Sequence, residues 1–262
     1  MENADTELDL QENYPYSKSG FYEDYGAVLG YYQVQSCLEF MHGTSLLDFA
    51  CGDGLLTEQF QKHYSRVVGV DASSTHLEKA RNRNKNIEFI HSLIEDLETS
   101  ERFDNVTLIN ILEHVRDPIS VLKKSASFLK DDGTLIVHVP NANAINRRIA
   151  VLMGTLNDCE ELSPFDKTIA GHRRSYTRKT LEVDIKKAGL KIVVTGGIFL
   201  KMLSTPQMDW FLRNGLWDEG GFGWGRVGSE KKDWKAEYCR ACYEIGKDYP
   251  DDCNIIYAVI KK

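Results

Sequence analysis

Between residues 45 and 139 the chain alternates short β-branched runs with amphipathic stretches, which restricts it to repeated βαβ units around a mainly parallel sheet. Strands are expected at 45–49, 66–70, 87–91, 103–109 and 134–139, and helices between them at 55–63, 75–84 and 118–129. The last helix is closed by the turn Lys130-Asp131-Asp132-Gly133. From Asn141 to Tyr176 no convincing strand occurs. Thr177 then reads as the N-cap of a helix over 178–188 that ends at Gly189, and strands at 191–195 and 254–260 follow.

The remaining segments are arranged around that core. Residues 1–42 are expected to form an N-terminal helical lid whose aromatic residues Tyr14, Tyr22 and Tyr25 close over an acceptor; the equal alternative is a helix pair that buries its rings on the core. The core itself is assigned to 43–140 and 177–200, with a first cap insertion at 141–176, a second at 201–252 and a final core strand at 253–262. The second insertion holds all four tryptophans and a glycine-rich stretch from Gly220 to Gly228.

Composition narrows the function classes. No apolar run approaches the ~20 residues that span a bilayer, and the acidic first residues carry no targeting pattern, so no membrane association and a cytoplasmic location are expected. A net charge of -7 argues against a nucleic-acid partner, because release of counterions from a polyanion needs a basic face. The scattered cysteines read as reduced thiols, and Cys239 and Cys242 as two thiols on one helix face rather than a zinc site.

The chemistry is concentrated at strand ends. Leu46-Leu47-Asp48-Phe49-Ala50-Cys51-Gly52-Asp53-Gly54 runs a hydrophobic strand into a small-residue turn and a helix, which lets backbone N–H groups approach a ligand closely. By itself this is also a tight strand-to-helix connection. The next strand, Val67-Val68-Gly69-Val70, ends in Asp71, where a nucleotide-binding sheet presents a carboxylate to ribose hydroxyls. A dinucleotide G-x-G-x-x-G is not completed, since Thr57 stands at the third glycine.

The run resembles motif I of class I S-adenosylmethionine (SAM)-dependent methyltransferases, with Ala50 at the first glycine of that motif. The resemblance implies an α/β, Rossmann-like, seven-stranded mostly parallel sheet with helices on both faces. It also implies SAM as cofactor, with contacts from Asp48, Ala50, Cys51, Gly52, Asp71, Ala72, Ile109 and Asn110. Ser92-Leu93-Ile94-Glu95-Asp96-Leu97 is similar to the loop that frames adenine, implying apolar contact from Leu93 and a backbone N–H near Ile94. Phe103-Asp104-Asn105-Val106 and Leu112-Glu113-His114-Val115-Arg116-Asp117-Pro118 are similar to the branch that includes ubiquinone-biosynthesis O-methyltransferases, in which His114 faces the transferred methyl as a candidate base. Some members of that branch carry a metal-binding E-x-x-E-H, and Asn110 breaks it here, so no required metal is expected.

Gly171-His172-Arg173-Arg174-Ser175-Tyr176 resembles a segment on the far side of the transfer cleft in the same branch. It implies His172 as a polarising group, Arg173 or Arg174 as partners for an acidic acceptor and Tyr176 as an acceptor contact; the equal alternative is a basic turn bonded to helix ends and neighbouring carboxylates. Asn141 and Asn143, after the fifth strand, read either as acceptor contacts or as Asx turns. The expected function is methyl transfer to a hydroxyl, or an amine, of a small-molecule acceptor such as a sugar, phenol or natural-product intermediate, by a monomer or homodimer. The rivals are a nucleic-acid or protein methyltransferase and a non-catalytic subunit that only binds SAM.

Overall fold

A computed structural model describes residues 7, 8, 12, 23–214 and 234–261. Strand β1 (Ser45–Phe49) is buried throughout, as a central parallel strand covered on both faces must be. Because side chains alternate across a strand, Leu46 packs on one face with Val34, Phe60 and Leu77, while Leu47 packs on the other with Val121, Leu122 and Leu181. The same split repeats at Val67 and Val68, so the sheet separates two apolar layers.

Around β1 lie β2 (Arg66–Asp71), β3 (Glu88–His91), β4 (Phe103–Ile109), β5 (Leu129–Pro140), β6 (Lys191–Ile198) and β7 (Ile255–Lys261), in the order β3-β2-β1-β4-β5-β7-β6. Strands β1 to β5 are paired in parallel, and β7 runs antiparallel to both of its neighbours. The sheet is thus seven-stranded and mostly parallel, as expected. Strand β5 begins earlier than the expected turn at 130–133: Phe103 pairs with Leu129 and Asn105 with Thr134, so the extra residues form a bulge opposite Asp104. Asp104 is held there by Lys130 and by the backbone and hydroxyl of Ser45, which replaces turn geometry with a pinned, charged bulge.

Helices α1 (Glu23–Leu38), α2 (Leu55–Gln61), α3 (Ser74–Arg83), α4 (Pro118–Ser127), α5 (Ile145–Leu152), α6 (Arg178–Lys187), α7 (Thr205–Asn214) and α8 (Trp234–Asp248) complete the described fold. Their starts are chemically marked. Asp117 caps α4 ahead of Pro118, and Thr177 forms a capping box with Thr180 at α6. Between α5 and α6 only a single π-helical turn, Asp166–Ala170, interrupts the loop.

The tyrosine-rich segment resolves toward the second expectation at Tyr25 and Tyr32. Both rings are buried with Phe199, Phe211 and Tyr243, and Tyr32 stacks on Tyr243 at 4.6 Å, so α1 is sewn to α7 and α8. Tyr14, Tyr22 and the stretch Gly220 to Gly228 lie outside the described residues. No helix among the described residues is long and apolar enough to cross a membrane. The strand order reverses between β1 and β4, and the loops leaving these two strands open the crevice where such sheets bind ligands.

Candidate active site

On the β1 side the site is built from backbone. Ala50 and Gly52 both have φ of +54, and Gly54, with φ of +77, begins α2. A Cβ on Gly54 would lie 3.0 Å from Ala80 Cβ, so both conformation and space require glycine there. The loop is pinned to β2: Gly52 N–H donates to Asp71 Oδ2 at 2.8 Å, Cys51 N–H to the Val70 carbonyl at 3.1 Å, and Ser73 N–H to Asp71 Oδ1 at 2.9 Å. Asp71 thus stands at the end of β2 against the glycine turn, the place implied for a ribose ligand.

Asp48 does not face this crevice. It is buried beneath the loop, where its two oxygens accept hydrogen bonds from Thr57 and Thr107, each at 2.7 Å. Burial pushes its carboxyl up to about 6 against the pull of these hydroxyls. It is therefore a clamp joining β1, α2 and β4 rather than a direct cofactor contact. Leu93 is half-buried beyond β3, whereas the Ile94 side chain is part of the core, which leaves its peptide rather than its side chain for the cofactor. Cys51 and Ile109 are nearly buried at the strand ends, and the Ala72 carbonyl accepts from His91 Nε2 at 2.9 Å.

The N-terminal segment touches both halves of the crevice. Glu12 accepts from Ser74 N–H at 2.6 Å and Thr75 N–H at 3.1 Å at the start of α3, and the Thr75 hydroxyl is the main influence holding its carboxyl down at about 2. Glu7 pairs with Arg116 at 2.9 Å and with Arg173 at 3.0 Å.

On the β4 side the site is built from side chains. Asn110 has φ of +53, and its amide exchanges hydrogen bonds with Gln33 of α1 at 3.2 and 3.4 Å. The following turn is tied to the first cap by Arg173 N–H, which donates to the Glu113 carbonyl at 2.8 Å. That bond brings His172 beside His114, with ring centroids 4.9 Å apart and edge to face. Glu113 lies behind them, fully buried, with His114 Nε2 3.8 Å from its Oε1. Its oxygens meet no donor beyond its own peptide N–H.

Burial drives the ionisation of this cluster toward neutrality. The Glu113 carboxyl rises to about 8, chiefly by desolvation. The His114 imidazole falls to about 3, by desolvation and then by repulsion from His172, with a backbone hydrogen bond to Gly171 only partly opposing. His172 is lowered as well, again by burial first, although Asp166 lies 3.7 Å from its Nδ1 and resists the shift. At neutral pH the cluster is a protonated carboxyl beside two neutral imidazoles. Both histidines border a cavity of about 620 Å³ lined by Tyr25, Asn110, Arg147, Phe165 and Lys201 among others.

One atom each from Glu113, His114 and His172 can be chosen so that all three lie within 4.8 Å of one another, which fits a small divalent cation. Asn110 breaks the metal-binding pattern along the chain; folding supplies a third donor, His172, from a distant segment. The other expected acceptor contacts are committed elsewhere. Arg174 donates to the carbonyls of Leu112, Val115 and Arg116, and the Tyr176 hydroxyl donates to Asp184 at 3.1 Å. Asn141 gives its amide to the Asp251 and Cys253 carbonyls, although its residue borders the cavity. Cys239 is buried and Cys242 half-buried in the α1, α7 and α8 cluster, and burial raises the Cys242 thiol.

Three residues at or near this cavity carry no sequence assignment: Gln33, Asp166 and Lys201. Only the last left a signal, a single cation interrupting the apolar run Ile198-Phe199-Leu200 and Met202-Leu203.

Comparison with known proteins agrees with this geometry. A family model described as a methyltransferase domain matches residues 31–195, more than half of the chain. A ubiquinone biosynthesis O-methyltransferase of Rhodopseudomonas palustris is 33% identical over 121 residues, which is 45% of this chain and 47% of that protein. The alignment therefore spans about half the length of that relative. Among solved structures, a SAM-dependent methyltransferase of Thermotoga maritima, described as a possible histamine N-methyltransferase, superposes with a TM-score of 0.60 at 16% identity, covering 92% of this chain and 94% of that one. The N-methyltransferase NodS of Bradyrhizobium japonicum, solved with S-adenosylhomocysteine (SAH), gives 0.53 at 13% identity, covering 98% and 97%. The sheet order, the glycine turn pinned to Asp71 and the family match lead to one conclusion: the chain belongs to the methyltransferase domain family, with SAM as its methyl donor.

Proposed function

We propose that this protein transfers the methyl group of SAM to a hydroxyl of a small molecule seated in the cavity between the β4 exit, the first cap and α7. The observation that carries this reading is the pair His114 and His172, edge to face at the cavity wall beside Asn110. The sulfonium already activates the methyl group, so transfer is an in-line displacement and alignment of the acceptor oxygen is the main demand. A hydroxyl must also lose its proton as the new C–O bond forms, and His114 borders the cavity uncharged and able to accept it, although the burial that lowers its pKa to about 3 makes it a weak base. An amine acceptor would need only its neutral form, and the buried cluster would then have little to do.

A small acceptor is favoured over nucleic acid by the net charge of -7 and by a cavity roofed by residues of the caps. The name of the Rhodopseudomonas relative, which matches half its length, supports oxygen as the accepting atom. The test is a screen of SAH release over matched phenols, aliphatic alcohols and amines, with products identified by mass spectrometry. O-methyl products lost in His114→Ala are expected; methylation confined to amines would overturn the reading.

The two unpartnered oxygens of Glu113 favour a second reading, in which Glu113, His114 and His172 hold a divalent cation. Such an ion would polarise the acceptor hydroxyl and lower its pKa. Full turnover after chelation supports proton acceptance by His114 alone; loss that magnesium or zinc restores supports the cation.

A further inference from the structure

The sequence offered Arg173 or Arg174 to an acidic acceptor, and both guanidinium groups are committed, one to Glu7 and the other to three carbonyls. A different cation faces the cavity. Lys201 follows β6, is only 2% exposed and borders the cavity with Thr205, Arg147 and Phe165. Its Nζ donates to Thr205 Oγ1 at 2.9 Å and lies 4.9 Å from the centre of the Tyr25 ring. Among the described residues no carboxylate forms an ion pair with it.

Burying an ammonium without a counter-charge costs several kcal/mol, and a hydrocarbon side chain would fill this position at no such cost. The hydroxyl and the ring face offset part of that cost and leave Nζ with unspent N–H donors. The Asp166 carboxylate, whose charge acts on Lys201, is taken up by Arg147 at 3.1 Å, which also donates to the Cys159 carbonyl, while Glu113, His114 and His172 are neutral. Lys201 is thus the uncompensated charge of an otherwise balanced wall. Burial pulls its ammonium down to about 7, with the Arg147 charge adding to that effect and Asp166 opposing it. An arriving anion would hold the proton in place.

We infer that Lys201 is a specificity-determining residue that seats a single carboxylate group of the acceptor, so that the substrate has an apolar body and one negative charge as well as the atom to be methylated. A carboxylate fits better than a phosphate because one ammonium and one hydroxyl are offered, and the neighbouring guanidinium is already paired. Leu29, Ala150, Leu156, Phe165 and Ile169 supply the apolar lining for the body. This rests on reading the cavity as the acceptor's, and it does not depend on which atom is methylated.

The test is calorimetry on the full chain saturated with SAH, titrated with benzoate and with its neutral isostere benzamide. The wild type is expected to bind benzoate about tenfold more tightly or better, the return of one charge-assisted hydrogen bond. Lys201→Met should erase that preference with SAH affinity unchanged, and Lys201→Arg should retain part of it. Equal binding of the two probes, or binding of neither, would overturn the inference, as would a preference that survives in Lys201→Met. A loss of SAH affinity in Lys201→Met would overturn it too, by assigning the ammonium to the donor's own carboxylate. Failure of the hydroxyl reading would appear elsewhere, in the products of turnover, and leaves this binding measurement standing.

Discussion

The two sides of the crevice both lie at the ends of parallel strands, yet they differ in how their polar groups are satisfied. Beneath the β1 loop every oxygen of Asp48 and Asp71 accepts a hydrogen bond, from Thr57, Thr107, Gly52 and Ser73. At the β4 exit Glu113 is buried with both oxygens unpartnered, and Lys201 keeps donors unspent. A fully satisfied loop can be rigid before its ligand arrives, as a shared cofactor requires. A buried carboxyl without partners and a buried ammonium without a paired carboxylate are costly, and such groups are kept where a ligand or a proton in transit completes them.

The contrast can be broken most forcefully at His114. If the β4 side carries the chemistry, His114→Ala should lower turnover on the order of 10² to 10⁴-fold while SAH affinity stays within about twofold, read by SAH release and by calorimetry. Equal losses in both would move His114 to the cofactor side.

Next in size is the pH dependence of Glu113. Its folded-state pKa is raised to about 8 from an ordinary value of 4.5, so the folded state binds the extra proton between these values. The resulting stability is fully present below about pH 4.5 and is lost as pH rises through about 8. Glu113→Gln keeps a neutral side chain at every pH. It should therefore raise the midpoint of thermal unfolding at pH 8 relative to the wild type and leave it nearly unchanged at pH 5. Should the variant instead be less stable at pH 8, and only when divalent metal is present, the carboxylate is a ligand and the cation reading stands.

On the β1 side the effects should be smaller and confined to the donor. Asp71→Asn keeps the shape and one acceptor while removing the charge, and it should weaken SAH binding about 10- to 100-fold, corresponding to roughly 1.4 to 3 kcal/mol, in calorimetry. Unchanged affinity would remove Asp71 from the ribose site. The smallest effect belongs to Ala50, a residue with a Cβ at φ of +54. Ala50→Gly relieves left-handed strain of about 1 to 2 kcal/mol and gives back part of it in unfolded-chain entropy, so a net gain of about 0.5 to 1 kcal/mol is expected in denaturant unfolding.

Legibility in the sequence followed the same division. The strands, the glycine turn, Asp71 and the cap at Thr177 are local signals, in which a short stretch dictates its own backbone and neighbours. The turn expected at 130–133 failed because Asp104, far away in sequence, anchors a bulge that competes with it. Asp48 was assigned to the cofactor by its place in the motif, and only the threonines of α2 and β4 show that it is a clamp. For Arg173 and Arg174 the sequence leaves an acceptor contact and a bonded basic turn equally open, and only their partners, Glu7 and a set of carbonyls, decide for the turn.

The sheet, the donor and the motif that carries His114 were legible along the chain, since periodicity and contiguous motifs hold that information. Tertiary structure alone decided that His172 joins Glu113 and His114, and that α1 is sewn to the second cap. It also decided that Lys201 stands buried at the cavity wall. The physical reason is that burial and unpaired charge are properties of an environment assembled from distant segments. A residue type at a given spacing fixes what a side chain can do; its desolvation and its partners decide what it does.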